Sequence, residues 1–198
     1  MSVTAIIPTV DGREESLERT LKACADENVN RVQVIRNRET CGEAWVEGAR
    51  KARTKYVAFL ADDLDPHTGC FQAMIGAVEA KRHPAALVLE PDGSKQSCGG
   101  AGGDVCRGDC HDWQPVEWSP TPFIRRDWWP LIEEHADMLA NLHYSSDCLI
   151  SAILAKHGIP SVMRRPAVLT HYNHQAGRVG RAGSDGAMFH AYRTEHGL

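Results

Sequence analysis

Three short apolar runs occupy the N-terminal third of the chain, and a segment with helical spacing separates each from the next. Val3-Thr4-Ala5-Ile6-Ile7-Pro8-Thr9 is β-branched and slowed by proline, Val32-Gln33-Val34-Ile35 exits into Arg36-Asn37-Arg38, and Tyr56-Val57-Ala58-Phe59-Leu60-Ala61 stops against Asp62-Asp63-Leu64-Asp65-Pro66. Between them Leu17, Leu21 and Cys24 share one helical face, as do Trp45, Ala49 and Ala52 after Gly42. Parallel neighbours need a crossover, so strands alternating with helices over short links predict a mostly parallel sheet flanked by helices. In such sheets ligands sit beyond the carboxyl ends of the strands. Thr9-Val10-Asp11, Arg36-Asn37-Arg38 and the acidic run would then face one crevice.

The pattern continues and then breaks. Asp11, with Glu14 three residues on, is placed to cap the first helix. Phe71, Met74, Ile75 and Val78 predict a helix after Pro66, and Ala85-Ala86-Leu87-Val88-Leu89 a fourth strand. Residues 91–112 read as a loop rich in Gly, Cys and Asp. Phe123-Ile124 restores order, followed by one helix through Trp128, Ile132, Ala136 and Leu139. A further helix starts near Ser145-Ser146-Asp147, where either serine can cap it, and ends at Gly158. Val162 to Tyr172 predicts the last strand, then a mobile loop from Gln175 and a short helix around Ala187 to Thr194.

Composition narrows the class. With 198 residues and 42% hydrophobic content the chain suits one domain, spanning 1–198. Within it, the Gly/Cys-rich loop at 91–112 divides 1–90 from the rest of 91–174, and 175–198 would form a mobile C-terminal segment. A net charge of −4 argues against a broad nucleic-acid-binding face. No membrane span or secretory leader is evident, and seven cysteines, an odd count, suit reduced thiols, so the expected location is cytoplasmic.

Two readings of Asp62-Asp63-Leu64-Asp65 stand side by side. Clustered carboxylates at a buried strand end can hold Mg²⁺ or Mn²⁺ while a donor's phosphates complete the shell. Equally, aspartates suit an acidic turn that caps the helix after Pro66.

Ala5-Ile6-Ile7-Pro8-Thr9, the helix from Gly42-Glu43-Ala44-Trp45 to Lys55, and the strand ending in Asp62-Asp63 together resemble the nucleotide-binding half of a family 2 glycosyltransferase with the GT-A fold. The resemblance covers residues 3 to 90 and resumes more loosely from 120 to 174, which implies that 1–90 is the nucleotide-sugar-binding half and 91–174 the acceptor half. It implies an α/β chain with a single GT-A (nucleotide-diphospho-sugar transferase) domain, and an enzyme, a hexosyl- or pentosyltransferase. The activity implied is transfer of a sugar from a nucleoside diphosphate donor, foremost a UDP-sugar, to a hydroxyl acceptor; a modified nucleic acid base is one acceptor of that kind.

The family motif reads Phe-Leu-Asp-x-Asp, and Ala61 stands where its first Asp falls. The acidic pair is therefore either Asp62-Asp63 or Asp63-Leu64-Asp65. Asp63 serves in both registers as metal ligand, with Asp62 toward the donor and Asp65 a further candidate ligand. By the same resemblance Pro8, Thr9, Asp11 and Asn37 line the nucleotide, Asp147 in Ser146-Asp147-Cys148-Leu149 is the general base, and His171 approaches the metal or diphosphate. A histidine ligand favours Mn²⁺ over Mg²⁺. Arg178 and Arg181 could fold over the donor phosphates, since guanidinium groups bind phosphate in a bidentate way.

Other features leave alternatives open. Cys98, Cys106 and Cys110, with His111, could hold a structural Zn²⁺, although their spacing lacks the Cys-x-x-Cys pairing of common sites. A nucleotidyltransferase would use a similar sheet but a more basic first loop than Pro8-Thr9-Val10-Asp11-Gly12-Arg13. A zinc-stabilised nucleic-acid-binding module would use the cysteine loop and the arginines without catalysis.

Overall fold

The computed structural model describes residues 2–94, 111–172 and 182–198. Cys98, Cys106, Cys110, Arg178 and Arg181 lie outside the described residues.

The first half follows the predicted alternation. Strand β1 (Val3–Thr9) leads to helix α1 (Glu14–Asp26), β2 (Arg31–Arg36), α2 (Cys41–Lys51) and β3 (Tyr56–Phe59). β1 lies between β2 and β3 and runs parallel to both. The short β6 (Phe123–Arg125) closes this four-stranded sheet antiparallel to β3, giving the order β2-β1-β3-β6. Ala5, Ile6 and Ile7 are buried on both faces of the sheet, as a central parallel strand requires.

α2 packs so closely on two sides, against β1 and against the backbone at Leu139, that small residues are obligatory. A Cβ on Gly48 would fall 2.4 Å from Ile6 Cγ2, and one on Gly42 would fall 1.8 Å from the Leu139 carbonyl oxygen. The Trp45 indole N–H donates to the Leu60 carbonyl at 3.3 Å, fixing the end of β3 where the acidic run begins.

Beyond β3 the chain departs from expectation. Leu64–Pro66 form a short strand, β4, rather than a turn, and β5 (His83–Leu89) leaves the first sheet. Both pair with the long β7 (Ser161–His171) in a second sheet of order β4-β7-β5. β5 and β7 are parallel, whereas β4 runs antiparallel to β7. Pro66 is tolerated because β4 is an edge strand. The register of β7 against β5 shifts between Ala86 and Leu87 of β5, where Arg165, Pro166 and Ala167 of β7 have no partner in the ladder, the first two of them exposed.

Several local expectations change. Helix α1 is preceded by Arg13 at its N-cap, not capped by Asp11. The single helix expected after Phe123 is a 3-10 turn (Arg126–Trp128), α4 (Trp129–Glu133) and α5 (Ala136–Asn141). α6 (Ser146–Lys156) begins and ends as expected, though neither serine caps it through its side chain. The last helix, α7 (Ala182–His196), starts earlier and runs longer than predicted.

Helix α3 (Cys70–Glu79) follows Gly69, whose left-handed φ of 85° suits glycine. Its first amides are held by the buried Glu27 at the end of α1, which accepts from Gly69 N at 2.5 Å and Phe71 N at 2.9 Å. Glu27 thus fills the capping role that the acidic run could have had.

Candidate functional site

The carboxyl ends of β1 and β3, the start of α2, the approach to α6 and the end of β7 surround one cleft of about 350 Å³. Among the sequence-derived candidates, Pro8, Thr9, Asp62, Asp63, Asp147 and His171 line it. Asp11, Asn37 and Asp65 do not.

Asp62 and Asp63 leave β3 almost fully buried, 5% and 6% exposed. Thr9 at the end of β1 donates its hydroxyl to Asp62 Oδ2 at 2.6 Å. Arg13, delivered by the turn at Gly12, spans the pair: its Nη2 lies 2.8 Å from Asp62 Oδ1 and 2.7 Å from Asp63 Oδ2. Gly12 has φ 86°, the left-handed conformation that lets the chain double back here.

The second sheet supplies the other partner. Leu64 lies opposite His171 in the β4–β7 register, and Tyr172 N donates to the Asp63 carbonyl at 3.1 Å. That pairing brings His171 Nε2 to 3.5 Å from Asp63 Oδ1.

Electrostatics separate the two aspartates. Burial pushes the Asp62 carboxyl up; Thr9 and Arg13 offset only part of this, and Asp63 adds to it. Asp63 feels the same burial, but His171 together with Arg13 outweighs it and holds the carboxyl below its ordinary value. Burial would lower Arg13, yet the carboxylates of Asp62 and Asp63 raise it.

Asp65, an expected metal ligand, is turned to other work. Thr20 Oγ1 lies 3.0 Å from its Oδ1, and Arg19 Nε lies 2.9 Å from its Oδ2. The Arg19 guanidinium also covers the Tyr172 ring at 3.7 Å. Alternation along β4 turns Asp65 toward α1, away from the cleft. Asp11 and Asn37 bind each other: Asp11 N donates to Asn37 Oδ1 and Asn37 Nδ2 to Asp11 Oδ2, both at 3.2 Å.

Asp147 stands half-buried in the first turn of α6, where its Oδ1 accepts from Cys148 N at 2.8 Å. Cys41, at the start of α2, lines the same cleft. Burial raises its thiol, and the carboxylates of Asp147, Asp62 and Asp63 all raise it further. One side chain therefore senses both the acidic pair and the candidate base. Trp118, Thr121, His143 and Tyr144 complete the wall around Asp147.

Arg13 is the residue that sequence reasoning missed. The signal was a basic side chain directly after Gly12 in the first loop. Its partnership with Asp62 and Asp63 depends on the turn and is not visible in the local sequence.

Asp63 Oδ1 and His171 Nε2 suit a divalent ion, since two bonds of about 2.1 Å can span their separation. Among the described residues no group of three or more His, Cys, Asp and Glu side chains could enclose a metal. A site of this kind has two protein donors and leaves its other positions to a ligand.

Residues 4–94 match the family model for Glycosyl transferase family 2. Over that segment the chain is family 2-like, and its fold is GT-A. Its fold is similar to a crystal structure of GalNAc-T7 with UDP, GalNAc and Mn²⁺, at a TM-score of 0.65 and 12% identity over 90% of this chain. Two crystal structures of S. aureus TarS, one of residues 1–349, give TM-scores of 0.57 and 0.60 at 13% identity over 87% of this chain. The family 2-like chain covers 44%, 36% and 61% of those three chains in turn. No curated protein matches it at significant similarity. Among the described residues of this GT-A chain, no helix is long and apolar enough to cross a membrane.

Proposed function

We propose that the chain is a glycosyltransferase that moves a sugar from a nucleoside diphosphate sugar to a hydroxyl acceptor with the help of a divalent cation. The observation that carries this reading is the meeting of Asp63, His171 and Asp147 on one cleft. The family 2 match to the strand and loop segments that build the donor side supports it. So does the UDP and Mn²⁺ of the GalNAc-T7 structure, which favours a UDP-sugar and manganese.

Pro8 and Thr9 border the donor, Asp62 faces it, and Asp63 with His171 holds the cation. When bound, the cation neutralises charge that develops on the departing diphosphate. Asp147 accepts the proton of the acceptor hydroxyl. Its carboxyl group stands half-buried in the first turn of α6, with Oδ1 accepting from Cys148 N, and lines the cleft where an acceptor hydroxyl would approach. Trp118 and Tyr144 offer aromatic faces on the acceptor side.

A panel of nucleoside diphosphate sugars, incubated with Mn²⁺ and assayed for release of the nucleoside diphosphate, tests the reading. Parent turnover of at least one donor, lost in Asp63→Ala, is expected. Equal turnover by parent and variant would refute the assignment of Asp63.

A further inference from the structure

Asp62 and Asp63 already have a cation. Arg13 neutralises both through a single nitrogen, Nη2, at 2.8 and 2.7 Å, while its own Nε is buried without a hydrogen-bond partner. A guanidinium has five donors and is best satisfied by a planar anion taken in bidentate fashion. Here one nitrogen is shared between two carboxylates and another N–H is left over. Charge, more than hydrogen-bond geometry, holds the side chain in place.

Two features make this arrangement conditional. The Arg13 side chain is 30% exposed, against 7% and 8% for its two partners, so the guanidinium stands at the cleft mouth over buried carboxylates. The Arg13 backbone is anchored as the N-cap of α1 directly after the Gly12 turn, where its carbonyl accepts from Leu17 N at 2.9 Å. Rotation of the side chain about its own bonds breaks neither sheet nor helix.

We infer that Arg13 is a resident counter-ion that excludes the divalent cation from Asp63 until a diphosphate draws the guanidinium away. This rests on the donor-site reading above and adds an order of events to it. With Arg13 on Asp63 Oδ2, a divalent ion on Oδ1 of the same carboxylate would meet a like charge at close range. A diphosphate in the cleft offers Arg13 the bidentate oxygen pairs that it lacks. Once Arg13 transfers, Asp63 regains its full charge for the metal. Binding of nucleotide and of metal are then coupled, and linkage requires each to strengthen the other by the same factor. The arrangement also keeps the buried acidic pair neutralised when the cleft is empty.

The test measures Mn²⁺ affinity directly, from the loss of the free-ion electron paramagnetic resonance signal, with and without UDP. Arg13→Gln without UDP is expected to bind Mn²⁺ about tenfold more tightly than the parent, within the usual range of coupling between sites. UDP is expected to raise the parent's affinity by a larger factor than the variant's. Arg13→Lys keeps the charge that stabilises the acidic pair but, as a compact point charge, serves two carboxylates less evenly. It should fold like the parent and fall between parent and Arg13→Gln. Thermal melting confirms that each variant is folded. Equal Mn²⁺ affinity of parent and both variants without UDP would overturn the inference while leaving the donor site standing. No Mn²⁺ binding by any of them, even with UDP, would remove the donor-site reading and this inference together.

Discussion

Asp63 and His171 meet, Oδ1 to Nε2 at 3.5 Å, because Leu64 on β4 lies in register with His171 on β7. The pair joins the end of the first sheet to the end of the second. If His171 is a metal ligand, His171→Ala should weaken Mn²⁺ binding in the presence of UDP by at least about tenfold, the lower range for loss of even an indirect metal contact. Titration by electron paramagnetic resonance reads this without any turnover. Affinity unchanged from the parent would leave His171 as a hydrogen-bonding partner of Asp63 alone.

Asp65 should behave differently from Asp63 although only one residue separates them. Its carboxylate is held by Thr20 and Arg19 beneath α1, and burial lifts it above its ordinary value. A neutral side chain is therefore tolerated there. Asp65→Asn is expected to cost no more than about 1 kcal/mol, and Asp65→Ala, which leaves Thr20 and Arg19 facing a gap, roughly 1–3 kcal/mol. Urea unfolding measures both. Neither change should move Mn²⁺ affinity by more than about twofold, since the carboxylate makes no contact with the cleft.

The contrast between these two aspartates shows where the sequence was readable. β1, α1, β2, α2 and β3 were all legible, because each is a run of local periodicity with a polar exit. β4 was not: it has three residues, one of them charged and one a proline, and exists only by pairing with β7. Without that strand there is no way to know that Asp65 faces α1 while Asp63 faces His171. The same limit hid Glu27, which reaches from the end of α1 to cap α3. The helical spacing of Trp128, Ile132, Ala136 and Leu139 was correct as a buried face, yet the chain turns at Glu134 and His135 between α4 and α5. Spacing records burial, not continuity of the backbone. Asp147 and His171 were found through family resemblance, and the cleft unites them with Asp62 and Asp63.

Asp185 links the last helix to the wall of the cleft around Asp147. It is buried, and its Oδ2 accepts from the backbone N–H groups of His143 at 2.7 Å and Tyr144 at 2.6 Å, the two residues that lead toward Asp147. Removing the shared acceptor from two part-buried amides should cost roughly 1–3 kcal/mol in Asp185→Ala, and less in Asp185→Asn, which keeps one carbonyl oxygen. Hydrogen exchange should show faster exchange at the His143 and Tyr144 amides in the alanine variant. If those amides stay as protected as in the parent, Asp185 does not hold this segment.

His83 predicts the acid sensitivity of the fold. The ring is fully buried at the start of β5, with Nδ1 3.1 Å from Ser161 Oγ and 3.5 Å from Ser151 Oγ, and Nε2 without a partner. Burial pushes its pKa down from 6.5 to about 3. Between those values the unfolded chain takes up a proton that the folded chain refuses, so stability rises with pH across the window and is lost on acidification. The ceiling is about 1.4 kcal/mol per pH unit, or about 5 kcal/mol over the whole window. Asp63, held low, adds to the loss at the acidic end, while Asp62 and Asp65, held high, oppose it. His83→Gln removes the titrating ring and leaves those carboxylates in place. The stability advantage of the parent over this variant, from urea unfolding at a series of pH values, should therefore shrink steadily from pH 6.5 downward. A difference that stays constant from pH 6.5 to 4 would mean that His83 takes up its proton equally in the folded and unfolded chain.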